Sequence, residues 1–178
     1  MKKILMFLFI VGLIGCSSDD NGNDDNGNPG NNGNANLRST GDSAEELLRS
    51  NTFDQLEIEI IYINGIRPET ETLVNLQNFL QQRLNKPEGI SITQRNITDS
   101  TGENYTIEEI DDLEQDNRTS FTRDNTIAVS IIVADKPNEN DEGNSVVLGT
   151  AYRNTSLVIY QSTVERFSGG LNQPSRVN

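Results

Sequence analysis

Residues 126–134 read Thr-Ile-Ala-Val-Ser-Ile-Ile-Val-Ala, and only Thr126 and Ser130 are polar. The run is rich in β-branched residues and far shorter than the ~20 residues that cross a bilayer, so it predicts a strand without a polar face. Such a strand belongs in the middle of a sheet covered on both sides, the situation of parallel strands joined by helical crossovers. The preceding segments fit that requirement. Leu56 to Ile63 alternates, is β-branched and ends at Asn64-Gly65, which reads as a strand. From Pro68 to Asn85, Leu73, Leu76, Leu80 and Leu84 recur at helical spacing, with Val74 and Phe79 widening the stripe. Glu69 and Glu71 at its start and Arg83 and Lys86 at its end match the helix macrodipole, and Pro87 and Gly89 stop it. Gly89 to Ile97 is a second strand carrying Ile90, Ile92 and Ile97. Thr106-x-x-Glu109 is a capping box opening a helix that turns Ile107, Ile110 and Leu113 inward and ends near Asn117. Ser43 to Arg49, with Ala44, Leu47 and Leu48 on one side, is a short amphipathic helix ahead of these elements. Val146 to Tyr152 and Ser156 to Tyr160 are two further strands about a turn at Asn154, and Gln161 to Phe167 begins a last helix. The expected class is α+β, a mixed, largely parallel twisted sheet with helical cover.

The chain divides into three parts. Lys2 and Lys3 precede an apolar run from Ile4 to Ile14, too short to span a bilayer and of the length of a signal-peptide core. Leu13-Ile14-Gly15-Cys16 resembles the bacterial lipobox, which implies cleavage after residue 15 and lipidation of Cys16. Acyl chains contribute about 0.8 kcal/mol per buried CH₂, so two or three of them hold a protein at a membrane. Residues 16–41 form the second part. Ser17 to Asn36 contains eight Asn, four Asp and four Gly and nothing apolar larger than Ala35. Such a stretch has no burial to offset ordering entropy and is expected to be a flexible tether with a reach on the order of 25 Å. Residues 42–178 are the expected globular part.

Composition removes many chemistries. The 178 residues carry 14 Lys and Arg against 27 Asp and Glu, a formal charge of −13. That balance argues against nucleic acid and leaves the lipid as the membrane contact. There is no His, one Cys and no Trp. His-based triads, His-ligated zinc, disulfides and Cys-rich metal knuckles are all excluded. Aromatic residues make up 6% of the chain, too few for the stacking platforms of a carbohydrate-binding surface.

The segment Gly149-Thr150-Ala151-Tyr152-Arg153-Asn154-Thr155-Ser156-Leu157-Val158-Ile159-Tyr160 is distinctive, as is Leu76-Gln77-Asn78-Phe79-Leu80. Together with the lipobox and the Asn/Asp stalk, they resemble a family of flavobacterial (Bacteroidota) lipoproteins described as membrane metalloproteases, which are zincin-like. The resemblance covers essentially the whole chain. It implies a twisted sheet with helices whose edge strand bounds an active-site cleft, followed by a helix bearing His-Glu-x-x-His that holds zinc. In such a helix, two histidines one turn apart share a face for the metal, and the Glu takes a proton from the metal-bound water. This chain has no His. It is therefore expected to correspond to the N-terminal portion of such an enzyme, with no cofactor of its own and zinc belonging to an intact homologue. By position, Val147, Leu148, Gly149, Thr150, Ala151 and Tyr152 match the edge strand that pairs with extended substrate, although Tyr152 taken alone is expected to pack in the core. The resemblance also implies an envelope protein anchored to the outer membrane, and the acids after Cys16 resemble a surface-export signal. The competing reading is a non-enzymatic surface lipoprotein that binds a peptide or protein along the same exposed edge.

Other constellations are weaker. Asp135, Asn138, Asn140, Asp141 and Glu142 lie in an oxygen-rich loop. An EF-hand is excluded because its twelfth position falls on Gly149, leaving a looser Ca²⁺ site to be tested. Glu57 and Glu59 share a strand face, and Asp111, Asp112, Glu114 and Asp116 a helix face; both faces are expected to be solvated. Asn154-Thr155-Ser156 matches an N-glycosylation pattern, and Asp42-Ser43-Ala44 resembles a Bacteroidota O-glycosylation motif.

Overall fold

The computed structural model describes residues 35–143 and 145–168. The signal segment, Cys16 and most of the tether lie outside them. The described chain is α+β. Its elements run α1 (Ala44–Leu48), β1 (Gln55–Ile63), α2 (Thr70–Gln81), β2 (Gly89–Ile97), α3 (Ile107–Asn117), β3 (Thr126–Ala134), β4 (Gly149–Arg153), β5 (Ser156–Tyr160) and α4 (Gln161–Ser168). Five strands form one sheet in the order β2-β1-β3-β5-β4. The β2-β1, β1-β3 and β3-β5 pairs are parallel, and only β4 runs against its neighbour β5.

The connection from β1 to β2 moves one way along the sheet and the connection from β2 to β3 moves the other. With right-handed crossovers, the two intervening helices must then lie on opposite faces. Two separate cores result. Leu56, Ile58, Ile60, Tyr62, Ile90, Ile127, Ile131 and Val133 turn to one face with Phe53, and Leu73, Leu80 and Leu84 of the α2 segment pack against them. On the other face Ile61, Ile63, Ile97, Ile132, Ala134, Val158 and Tyr160 meet Tyr105, Ile110 and Leu113 from the α3 region. β3 contributes to both, as its sequence demands, and eight of its nine residues are buried.

Several elements depart from their sequence limits. The helix expected over 68–85 is regular only from Thr70 to Gln81, and Val74 and Phe79 are half exposed on its outer side. Phe79 is instead covered by the guanidinium of Arg83, 3.7 Å from its ring centre. The capping box of α3 is present: Glu109 N–H donates to Thr106 Oγ1 and Thr106 N–H to Glu109 Oε2. Lys86, assigned above to the end of α2, serves α1 and the segment after it. Its Nζ donates to the carbonyls of Glu46, Arg49 and Phe53 at 2.6–2.7 Å. Residues 35–41, read above as the last part of the tether, are seated on the domain. Ala35–Leu37 forms a 3₁₀ turn, and the carbonyls of Ala35 and Arg38 accept from Asn154, in the β4–β5 turn.

Candidate functional site

The site is built on β4, at one end of the sheet. Tyr160 N–H donates to Leu148 O, which fixes the antiparallel phase. Thr150 lies opposite Val158, two positions along, so it too directs its backbone at β5; Gly149 and Ala151 direct theirs outward. Among the described residues no strand pairs with that outer side. Both Gly149 and Ala151 are exposed. The edge therefore presents two N–H and two C=O groups about 7 Å apart with no bulky side chain between them. The absence of a side chain at Gly149 has a separate cause: a Cβ there would lie 2.7 Å from the Val158 carbonyl oxygen. A register shift between Ala151 and Arg153 bends the end of the strand.

Of the six residues assigned to the edge by sequence, Gly149, Thr150, Ala151 and Tyr152 are in the strand, and Val147 and Leu148 precede it. Val147 packs into the second core, and its N–H is held by Asp141 Oδ1 at 2.8 Å. Leu148 remains half exposed at the mouth of the edge. Tyr152 points away from the outer edge. Its ring packs on the second core and its hydroxyl donates to Glu114 of α3. Burial, then the neighbouring Glu114 carboxylate, pushes the phenol far above its ordinary value, so it stays a donor. The next residue, Arg153, makes a two-pronged ion pair with Asp111, one turn earlier on α3. The Asp111 hydrogen bond raises the guanidinium pKa further.

Glu114 is the hub of this anchor and departs from the expected solvated acidic face, on which Asp112 and Asp116 are exposed. It is 2% exposed. Its Oε1 accepts from Arg118 Nη1 and from Ser156 Oγ, both at 2.7 Å. Arg118 is equally buried and spends all five donors: on the Ser120 and Ala128 carbonyls, Glu114, Ser156 Oγ and Thr155 Oγ1. A buried ion pair of this kind is tolerable because all five guanidinium protons have acceptors and both carboxylate oxygens have donors. Glu59 is likewise 2% exposed, not solvated. It receives Thr119 N–H, Thr119 Oγ1–H and Ser120 N–H at 2.6–2.8 Å, which ties the loop after α3 across β1. Glu57 takes Ser120 Oγ and Arg123. Both carboxylates are committed to loop contacts, which leaves no acid–base pair facing a cleft.

A cavity of about 190 Å³ lies beside the anchor, between Asn36 and Leu37, Asp111, Glu114 and Gln115 of α3, Arg118, Phe121 and Arg153.

The oxygen-rich loop does not converge on a point. Asp135 accepts from Asn64 Nδ2 and Tyr105 OH, at the carboxyl ends of β1 and β3. Asn138 is 2% exposed, with its Nδ2 on Tyr160 OH and its Oδ1 taken by Asn140 N–H. Asp141 holds Val147 N–H and Thr163 Oγ1, and Glu142 faces solvent. Among the described residues, no three His, Cys, Asp or Glu side chains are grouped to hold a metal ion. The modification motifs are occupied in the same way. Ser43 is fully buried, and Asn154 Nδ2 is bonded to Ala35 O and Ser43 Oγ.

Comparison with protein-family models, with curated proteins and with solved structures finds no match to this chain. Among the described residues no helix is long and apolar enough to cross a membrane.

Proposed function

We propose that the domain binds an extended peptide by adding it as a sixth strand along β4, and that it does so as the N-terminal portion of a lipid-anchored, zinc-metalloprotease-like envelope protein. The observation that carries the peptide reading is the outer side of β4, where the backbone groups of Gly149 and Ala151 face away from β5 and no strand among the described residues pairs with them. Main-chain pairing of this kind supplies affinity, while alternate side chains of the guest supply selectivity. The opposite edge is less open. On β2 the Ile90 carbonyl is taken by Gln77 of α2, and the strand carries Arg95 and exposed Ser91, Thr93 and Gln94. Polar and charged residues are the usual protection of an edge against pairing.

A mostly parallel sheet with one antiparallel edge strand supports the metalloprotease-like reading, because that resemblance implies an edge strand bounding a cleft. The zinc chemistry is not part of this chain. It contains no His, and its one Cys is the residue matching the lipidation position. The lipid on Cys16 and the outer-membrane location belong to the same proposal and rest on the lipobox-like Leu13-Ile14-Gly15-Cys16.

The test is a Pro at position 151. The Ala151 N–H faces outward, so Ala151→Pro removes a guest hydrogen bond and obstructs the edge without removing a bond to β5. A fluorescein-labelled octapeptide of alternating Thr and Val is expected to bind the parent saturably and to lose at least tenfold in affinity for the variant. Equal affinity for both proteins, with an unchanged circular dichroism spectrum, sinks the reading.

A further inference from the structure

We propose that residues 35–43 form a strap that locks the position of β4, and that releasing the strap loosens this edge while the rest of the sheet stays intact. Asn154 makes the lock. This buried residue, one position beyond β4, spends its side chain entirely on the strap. Its Nδ2 donates to Ala35 O at 2.8 Å and to Ser43 Oγ at 2.7 Å, and its Oδ1 accepts Ser43 N–H at 2.8 Å. Its backbone N–H donates to Arg38 O. The strap is in turn braced against α1, since Arg38 Nη2 and Ser43 Oγ both donate to Glu46 Oε2.

Two further observations make this a device rather than a passive contact. First, Asn36 and Leu37 wall the cavity whose floor is the Asp111–Arg153 and Glu114–Arg118 anchor. Opening the strap exposes further the Asp111–Arg153 ion pair that binds β4 to α3, and exposure weakens such a pair. Second, the closed strap buries Asn36 Oδ1 with no partner among the described residues. An unpaired buried acceptor is a standing cost of the closed form that opening removes. The strap is thus set against a local penalty, and a pull on the chain ahead of Ala35 acts on the end of the edge strand. The consequence holds whatever pairs with that edge.

Hydrogen exchange on the full chain tests it, with the strap weakened from its own side. Ser43→Ala and Arg38→Ala alter no residue of β4, β5 or the turn between them. Each is expected to speed exchange of the Thr150 amide, which is directed at β5, about tenfold, together with those of α1, leaving β1 and β3 at parental rates. Asn154→Ala is expected to produce the same pattern more strongly. Parental exchange at Thr150 in both strap variants overturns the proposal. So does acceleration spread equally over β1 and β3, which would make the strap a part of global stability.

Discussion

Arg118 shows what a buried charge costs when its partners are removed one at a time. Arg118→Met leaves the Glu114 carboxylate buried with only hydroxyl donors, from Tyr152 and Ser156, a change of about 3–5 kcal/mol. Urea unfolding is expected to report that loss, and Glu114→Gln combined with Arg118→Met is expected to restore more than half of it. Equal destabilisation by the single and double changes would mean that the pair is not energetically coupled. Gly149→Ala is a second single-residue test. The new methyl meets the Val158 carbonyl, so β4 must shift from β5 at a cost of about 1–3 kcal/mol. The Asp99 carboxyl gives the pH test. Burial acts to raise it, but hydrogen bonds from the Thr101 hydroxyl, Tyr105 OH and Thr101 N–H, with the Lys136 charge, outweigh burial and hold it below 3.8. Its stabilisation is therefore complete above the unfolded value and is lost as the pH falls through the folded one. The stability gap between parent and Asp99→Asn, measured by urea midpoints, should be flat from pH 7 to 5 and narrow below about 3.8. A gap independent of pH would refute this. None of these roles is legible in the sequence. Glu59, Glu114 and Arg118 lie among other charges, and a list of acids on a strand or helix looks the same whether its members face water or each other. Their partners, such as Thr119 for Glu59 and Ser156 for Arg118, are 60 and 38 positions away.

At the scale of elements the sequence is far more informative. The two periods, near 2 for β1 and 3.6 for α2 and α3, are local properties, and the strands and helices stand where those periods change. The capping box places the start of α3 to the residue, because both of its bonds lie within four positions. Failures occur where tertiary contacts decide. Val74 and Phe79 match the apolar stripe of α2, but the helix leans on β2 with Leu73, Leu80 and Leu84, and the outer two stay half exposed. Lys86 has the sequence position of a helix-terminal charge, and it reaches back to α1 instead. Lys86→Met removes three charge-assisted bonds to α1 and the segment after it, for a loss of about 2–4 kcal/mol. Exchange is expected to rise first in residues 44–53. Uniform protection across the chain in that variant would argue that another contact holds α1.

At the scale of the molecule, the expected α+β class with a mixed, largely parallel sheet is the architecture found. Its parallel core was legible because β1, β2 and β3 are separated by helical segments, and its single reversal because β4 and β5 are separated by a two-residue turn. The boundary of the domain was not. Residues 35–41 have the composition of a linker, and it is Asn154, far along the chain, that seats them. The proposed lipid attachment is tested on the whole chain. Expressed in a bacterium that processes lipoproteins, the parent should incorporate labelled palmitate and sediment with membranes, and Cys16→Ser should do neither. Labelling of the variant would move the attachment point elsewhere.

The contact of Asn154 with Ala35 joins positions 119 apart. On a ribosome adding roughly 5–20 residues per second, the partner for Ala35 is made on the order of ten seconds later. Closing so long a loop is entropically costly until the sheet between the two ends has formed. Of the described residues, those synthesised first are thus the ones fixed last. Its protection from exchange in a pulse-labelling experiment would date the completion of the fold.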